Sequence, residues 1–231
     1  MQNIMEQLRD WPWLATLPDD IAGFRLVREL MQCGSQYRVF TYGNIERQRS
    51  FSVLYDQGTK EFLARVVVGL TQFNDINFII PDINRLEKVL ANRMASTIQR
   101  LSVFDTSSVC SVYRDKNILD WDFARLLPPQ VAGFSLYITP SEPVKVLNGS
   151  YIIIDYSDFA AESNLMIYYN IYRDEFFGEM NIRRTPHMAG GFDARTIKDL
   201  EANLTARLED TLMGLRMRLS PGGSSEPGGE K

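Results

Sequence analysis

One histidine, His187, serves all 231 residues of the chain. Any Ser-His-Asp or Cys-His catalytic arrangement would have to use it as the base. Cysteine is almost as scarce, with Cys33 and Cys110 alone. Two cysteines are too few for the disulfide framework of a small secreted domain, and these two do not form a C-x-x-C pair. Nor do two distant cysteines and one histidine supply four zinc ligands at usual spacings, so no metal site is expected. Free thiols and a reducing compartment follow, which makes the cytoplasm the expected location.

Long basic runs are missing too. The longest are pairs such as Arg183-Arg184, and 25 Lys and Arg face 29 Asp and Glu for a net charge of -4. A nucleic-acid binder usually carries clustered basic residues, so nucleic acid is not an expected partner. An anionic membrane surface is disfavoured for the same reason. No apolar run approaches the roughly 18 residues of a spanning helix. Residues 1–13 carry Glu6, Arg9 and Asp10 and lack the basic-then-apolar order of a secretory signal. No G-x-S-x-G, P-loop or G-x-G-x-x-G occurs, so no cofactor is expected.

What the chain does contain is a repeat. Residues 11–24 read WPWLATLPDDIAGF and residues 121–134 read WDFARLLPPQVAGF. Six of these 14 positions are identical at an offset of 110, where unrelated segments would share about one. A second pairing sets residues 81–102 against residues 192–213 at an offset of 111. Five of 22 positions match there, among them Asp82/Asp193, Ala91/Ala202 and Leu101/Leu212.

Between these landmarks each unit reads as strands. β-Branched and aromatic runs at 24–30, 37–42, 50–55 and 63–70 are separated by turn signals such as Gly43-Asn44 and Asp56-Gln57-Gly58, and 77–80 adds a short fifth. Runs at 134–138, 151–156, 164–172 and 177–183 play the same parts in the second unit. Connections this short favour antiparallel neighbours. Each unit closes with a helix, for which Asp82 and Asp193 are the expected N-caps. Apolar residues follow at helical spacing: Leu86, Leu90 and Met94 after the first, Leu200, Leu204 and Leu208 after the second.

The expected fold is therefore α+β: a tandem duplication of a unit made of a helix, an antiparallel sheet of four to five strands and a long helix, the copies related by a pseudo-twofold. Residues 1–104 form the first repeat and 121–219 the second. Residues 105–120 connect them, with a short strand expected around Val109 to Tyr113. Residues 220–231, rich in Gly, Pro and Ser, read as a disordered tail.

Two places carry candidate function. The stretch 183–193 leads from a strand into the second long helix, where Arg183, Arg184, His187, Gly190 and Gly191 could hold a small anion on side chains and free backbone N–H groups. On strand 164–172, Met166, Tyr168, Asn170 and Tyr172 share one face by alternation. That face is neither wholly apolar nor charged, and Tyr and Met are enriched at protein interfaces. Asp155, Asp158, Glu162, Asp174, Glu175 and Glu179 could do acid–base work or bind a hard cation, but most sit in expected turns and they read as solvated loop charges. The favoured function is a non-enzymatic cytoplasmic protein-binding or adaptor module using the tyrosine-rich face or an inter-repeat groove, acting as a monomer or homodimer. The alternative is an enzyme or anion-binding protein centred on 183–193.

Overall fold

The computed structural model describes residues 4–146 and 149–220, so most of the 220–231 tail lies outside the described residues. The chain divides after Asp105 into two compact units. In the first, α1 (Ile4–Arg9) and a 3-10 turn (Pro12–Thr16) precede β1 (Asp20–Ile21), β2 (Phe24–Val27), β3 (Met31–Cys33), β4 (Gln36–Asn44), β5 (Arg49–Asp56), β6 (Glu61–Val68), β7 (Thr71–Ile80) and α2 (Ile83–Ser102). In the second, α3 (Ser111–Asp115) and a 3-10 turn (Asp122–Leu126) precede β8 (Gln130–Val131), β9 (Phe134–Ile138), β10 (Val144–Lys145), β11 (Ser150–Asp158), β12 (Ser163–Asn170), β13 (Glu175–Ile182), β14 (Thr185–Met188), a 3-10 turn (Gly190–Phe192) and α4 (Ile197–Leu219). The fold is α+β, with two similar units each built on one antiparallel sheet.

The sheets run in matching orders: β1-β2-β4-β5-β6-β7 with β3 on β4, and β8-β9-β11-β12-β13-β14 with β10 on β11. Each holds seven strands rather than four or five. The extra ones are mostly two to four residues long, too short for a period-2 pattern to show in sequence. The segment around Val109 to Tyr113 is the helix α3, not a strand. It packs with the second unit, where buried Tyr113 meets Tyr151 at 4.7 Å and Tyr169 at 5.8 Å between ring centroids.

The repeated Leu-Pro-x-x-[Ile/Val]-Ala-Gly-Phe builds the same object in each unit. Ala22-Gly23 and Ala132-Gly133 both have positive φ, near +50° and then +83°, and turn β1 into β2 and β8 into β9. Two residues of that kind suit the right-handed twist of a tight hairpin. Leu17 and Leu127 are buried beneath. The carbonyl of Pro18 accepts the Tyr42 hydroxyl at 2.7 Å, and that of Pro128 accepts Tyr156 at 2.7 Å. Burial pushes the Tyr42 hydroxyl up to about 12.

The second pairing in the sequence is misplaced by three residues. The interval Phe24–Gln36 is four residues shorter than Phe134–Ser150, so beyond it equivalent positions lie 114 apart. Gln36 donates to Asp56 as Asn170 donates to Ser150. Phe62 pairs with Ile80 as Phe176 pairs with Ala194. In the helices, Leu86, Leu90, Met94 and Ile98 are buried in α2 and Leu200, Leu204, Leu208 and Leu212 in α4. A slip of three residues is close to one helical turn, so an amphipathic stripe still overlaps itself and the wrong register looks plausible.

Asp193 is accordingly not an N-cap. Asp82 caps α2, accepting from the Arg85 N–H at 2.8 Å, but α4 is capped by Thr196, which accepts from the Asp199 N–H at 3.1 Å. Ala194 still exchanges both backbone hydrogen bonds with Phe176, at 2.7 and 3.1 Å. The chain must stay extended through that bridge before a helix can start.

Gly133 tests the hairpin chemistry. Gly23 and Gly133 share φ +83°, where any L-residue is strained, but an added Cβ would sit 3.6 Å from Asn44 Nδ2 in one unit and 2.6 Å from Arg216 Nη2 in the other. Arg216 also donates to the Ala132 carbonyl, pairs with Asp158 at 2.8 Å and lies 4.5 Å over the Phe134 ring. Gly23→Ala should cost about 1–2 kcal/mol from backbone strain. Gly133→Ala should cost more, because it also displaces Arg216. Urea midpoints of the two variants check this, and equal losses would contradict it.

Candidate functional site

An open groove of about 1140 Å³ lies in the second unit beside the turn joining β12 to β13. Tyr168, Asn170 and Tyr172 line it, with Phe177, Glu179 and Met188. Three of the four residues expected on the tyrosine-rich face therefore meet here, but in different states. Tyr168 is 7% exposed and Met166 3%, whereas Tyr172 is 78% exposed.

Strand pairing explains the division. Across β11, β12 and β13 the face carrying Met166 and Tyr168 also carries Asp155, Phe177 and Glu179. Tyr168 stacks on Phe177, with centroids 4.9 Å apart and planes 7° from parallel. Its hydroxyl donates to the Met166 sulfur at 3.3 Å. Burial, then the Glu179 and Asp155 carboxylates, push that hydroxyl well above its ordinary range. The two inner members of the face are thus interior residues, not a free surface.

Asn170 and Tyr172 lie at the strand's end. The Asn170 side chain accepts from the backbone N–H of Tyr172 and of Arg173, each at 3.0 Å, and so shapes the turn. The Tyr172 ring rests on Gly149, whose φ of +71° and missing side chain leave room for it. Tyr172 is therefore an exposed aromatic held in one place. The charged rim is mixed: Arg173 pairs with Glu175 at 2.7 Å, and Arg195, Asp193 and Asp199 complete it.

The residues of 183–193 are not gathered. What reads as a loop is mostly a hairpin strand, β14, paired with β13 so that His187 faces Met180. Arg183 and Arg184, with φ of 47° and 66°, form the two-residue turn before it. The Arg183 guanidinium donates to the Leu219 carbonyl at 3.3 Å, and Arg184 pairs with Glu162 at 2.6 Å. Gly190 and Gly191 lie beyond the other end of β14, in the 3-10 turn. Four strand residues span about 13 Å, so the arginines and the glycines do not face one ligand. Gly190 and Gly191 border a shallow hollow of about 360 Å³ with Arg207 and Asp210 instead.

Asp155 is the residue that sequence reasoning misplaced most. It is fully buried in β11 rather than a solvated charge. One oxygen accepts from Ser157 Oγ at 2.8 Å and from Asn164 Nδ2 at 3.1 Å, while the other has no hydrogen-bond partner. Asn181 extends this polar ladder by donating to Asn164 at 2.8 Å. Burial pushes the Asp155 carboxyl up to about 7, against the pull of Ser157 and Asn164. A signal was available: Asp155 follows Ile152-Ile153-Ile154 and precedes Tyr156, where an acid in a fully apolar run cannot be a turn residue.

Lys116 and Tyr169 both reach the Asp174 carboxylate, at 2.5 and 2.7 Å. These contacts, Lys116 first, hold Asp174 below the usual carboxylate range. Among the described residues no group of three or more His, Cys, Asp and Glu is placed to hold a metal ion, and no helix is long and apolar enough to cross a membrane. No known family, curated protein or solved structure matches the chain.

The position of Asp155 sets a pH dependence. Its folded carboxyl loses a proton near pH 7, whereas the unfolded one does so at 3.8. The unfolded state therefore gains on the folded state as pH rises from about 4 to about 7, and that loss persists at higher pH. Asp155→Asn removes the ionisation, so its stability relative to wild type should rise across this window and then level off. Thermal midpoints of both proteins at pH 4.5, 6 and 8 measure it; a constant difference would contradict the assignment.

Proposed function

We propose that the protein is a non-enzymatic protein-binding or adaptor module whose contact surface is the groove beside the β12–β13 turn. The observation that carries this reading is Tyr172. It is 78% exposed, yet its ring is seated on Gly149 and its backbone is tied to Asn170. An aromatic already ordered before binding contributes contact area at little entropic cost, the property of interface anchors. Met188, 69% exposed, supplies adaptable apolar surface in the same groove. Cys33 and Cys110 are free thiols, in keeping with the cytoplasmic location we propose.

We also infer that the two units descend from a tandem duplication. Its support is the matched hairpins, the Tyr-to-Pro hydrogen bonds and the identical pairs at an offset of 114, such as Tyr55/Tyr169, Phe62/Phe176, Leu86/Leu200, Glu87/Glu201 and Thr97/Thr211. The groove belongs to the second unit alone: Gly58 stands where Tyr172 does and Leu63 where Phe177 does. Binding is thus a property that one copy gained.

The paired tyrosines separate binding from folding. Tyr168→Ala should cost about 3–5 kcal/mol of stability, as for a core aromatic. Tyr172→Ala should leave the melting temperature within a few degrees and weaken partner capture by about 1–4 kcal/mol. A photo-crosslinking residue at 172, compared in cells with one at the even more exposed Ile45, reads capture directly. Identical cross-linked species from both positions would overturn the reading.

A further inference from the structure

Resting on that reading, we propose that the groove takes an arginine side chain from an extended segment of the partner protein. Charge is the first observation. Glu175, Glu179, Asp193 and Asp199 line the groove against Arg173 and Arg195 alone, and Arg173 is already paired with Glu175. A net acidic concavity attracts a cation and disfavours an anionic segment.

Shape is the second. Phe177 and Tyr168 are stacked within 7° of parallel, and Glu179 lies on the same sheet face, close enough to Tyr168 to raise its hydroxyl. The groove thus offers the half-buried Phe177 ring, backed by interior Tyr168, and a carboxylate side by side, with the Tyr172 ring at the turn. A planar guanidinium can lie over an aromatic face while donating in its own plane to a carboxylate, which a compact ammonium does less well. An arginine accordingly fits the arrangement better than a lysine. The apolar stem of its side chain would lie along Met188, which is 69% exposed.

The test uses the full-length ¹⁵N-labelled protein and three blocked tripeptides at equal ionic strength: acetyl-triarginine amide, acetyl-trilysine amide and acetyl-triglutamate amide. Saturable amide shifts centred on Tyr172, Phe177 and Glu179, seen with triarginine and weaker with trilysine, are expected. Glu179→Gln should weaken the triarginine affinity by about three- to tenfold, with its melting temperature close to wild type. Should that variant fold poorly, Asp199→Asn supplies the same reading from the rim. Shifts scattered over the surface, equal binding of triglutamate, or affinity untouched by both variants would overturn the proposal. If the adduct formed at position 172 in cells persists unchanged in Glu179→Gln, the groove still binds protein and only the arginine assignment fails.

Discussion

Each unit depends on one segment fastening a long helix at both ends. The tryptophan ahead of the Leu-Pro step donates from its indole to a glutamate in the second turn of the helix: Trp11 to Glu87 at 3.0 Å and Trp121 to Glu201 at 3.4 Å. The alanine of the Ala-Gly hairpin accepts from the far end: Ser102 to Ala22 at 2.9 Å and Arg216 to Ala132 at 2.8 Å. Between these two points the helix must lie along the sheet, and its leucine stripe is brought over the strands. Different residue types do the same work at the second fastening, serine in one unit and arginine in the other. What matters there is a donor reaching a carbonyl that the left-handed turn has aimed outward.

Both units share a break in the pairing of their last strands. In each unit the pairing skips before its final partner: Ala64–Asp75 is followed by Phe62–Ile80 in the first, and Glu179–Met188 by Phe176–Ala194 in the second. What differs beside the β12–β13 turn is the side chains, since Tyr172 and Phe177 stand where the first unit has Gly58 and Leu63. The groove lies there, and its floor includes Tyr168 and Phe177. The same sheet face carries a cost at Asp155, since a buried carboxyl with one oxygen unpaired favours the protonated form. A marginal fold tolerates few such groups, and Asp155 makes stability depend on pH near neutrality.

How far the chain's letters reach differs from element to element. The hairpin motif was legible because a two-residue turn with positive φ demands Gly at the second position, and the motif occurs twice. The main strands were legible from alternation and turn signals. The start of α4 was not: Asp193 has the chemistry of a cap, but the Phe176–Ala194 bridge keeps the backbone extended past it. The tyrosine face was half legible. Alternation correctly put Met166 and Tyr168 on one side of β12, and nothing in alternation tells whether that side meets water.

The sequence by itself determined the α+β class, the antiparallel strands, the repeated hairpin and the amphipathic helices, because these follow from contacts between neighbours along the chain. Only the tertiary structure decided which residues are available. It buried Tyr168 and Asp155, exposed Tyr172, and separated Arg183 and Arg184 from Gly190 and Gly191 by a strand. Burial and proximity depend on pairings between residues far apart in the chain, such as Phe176 with Ala194. Local periodicity carries no record of those pairings.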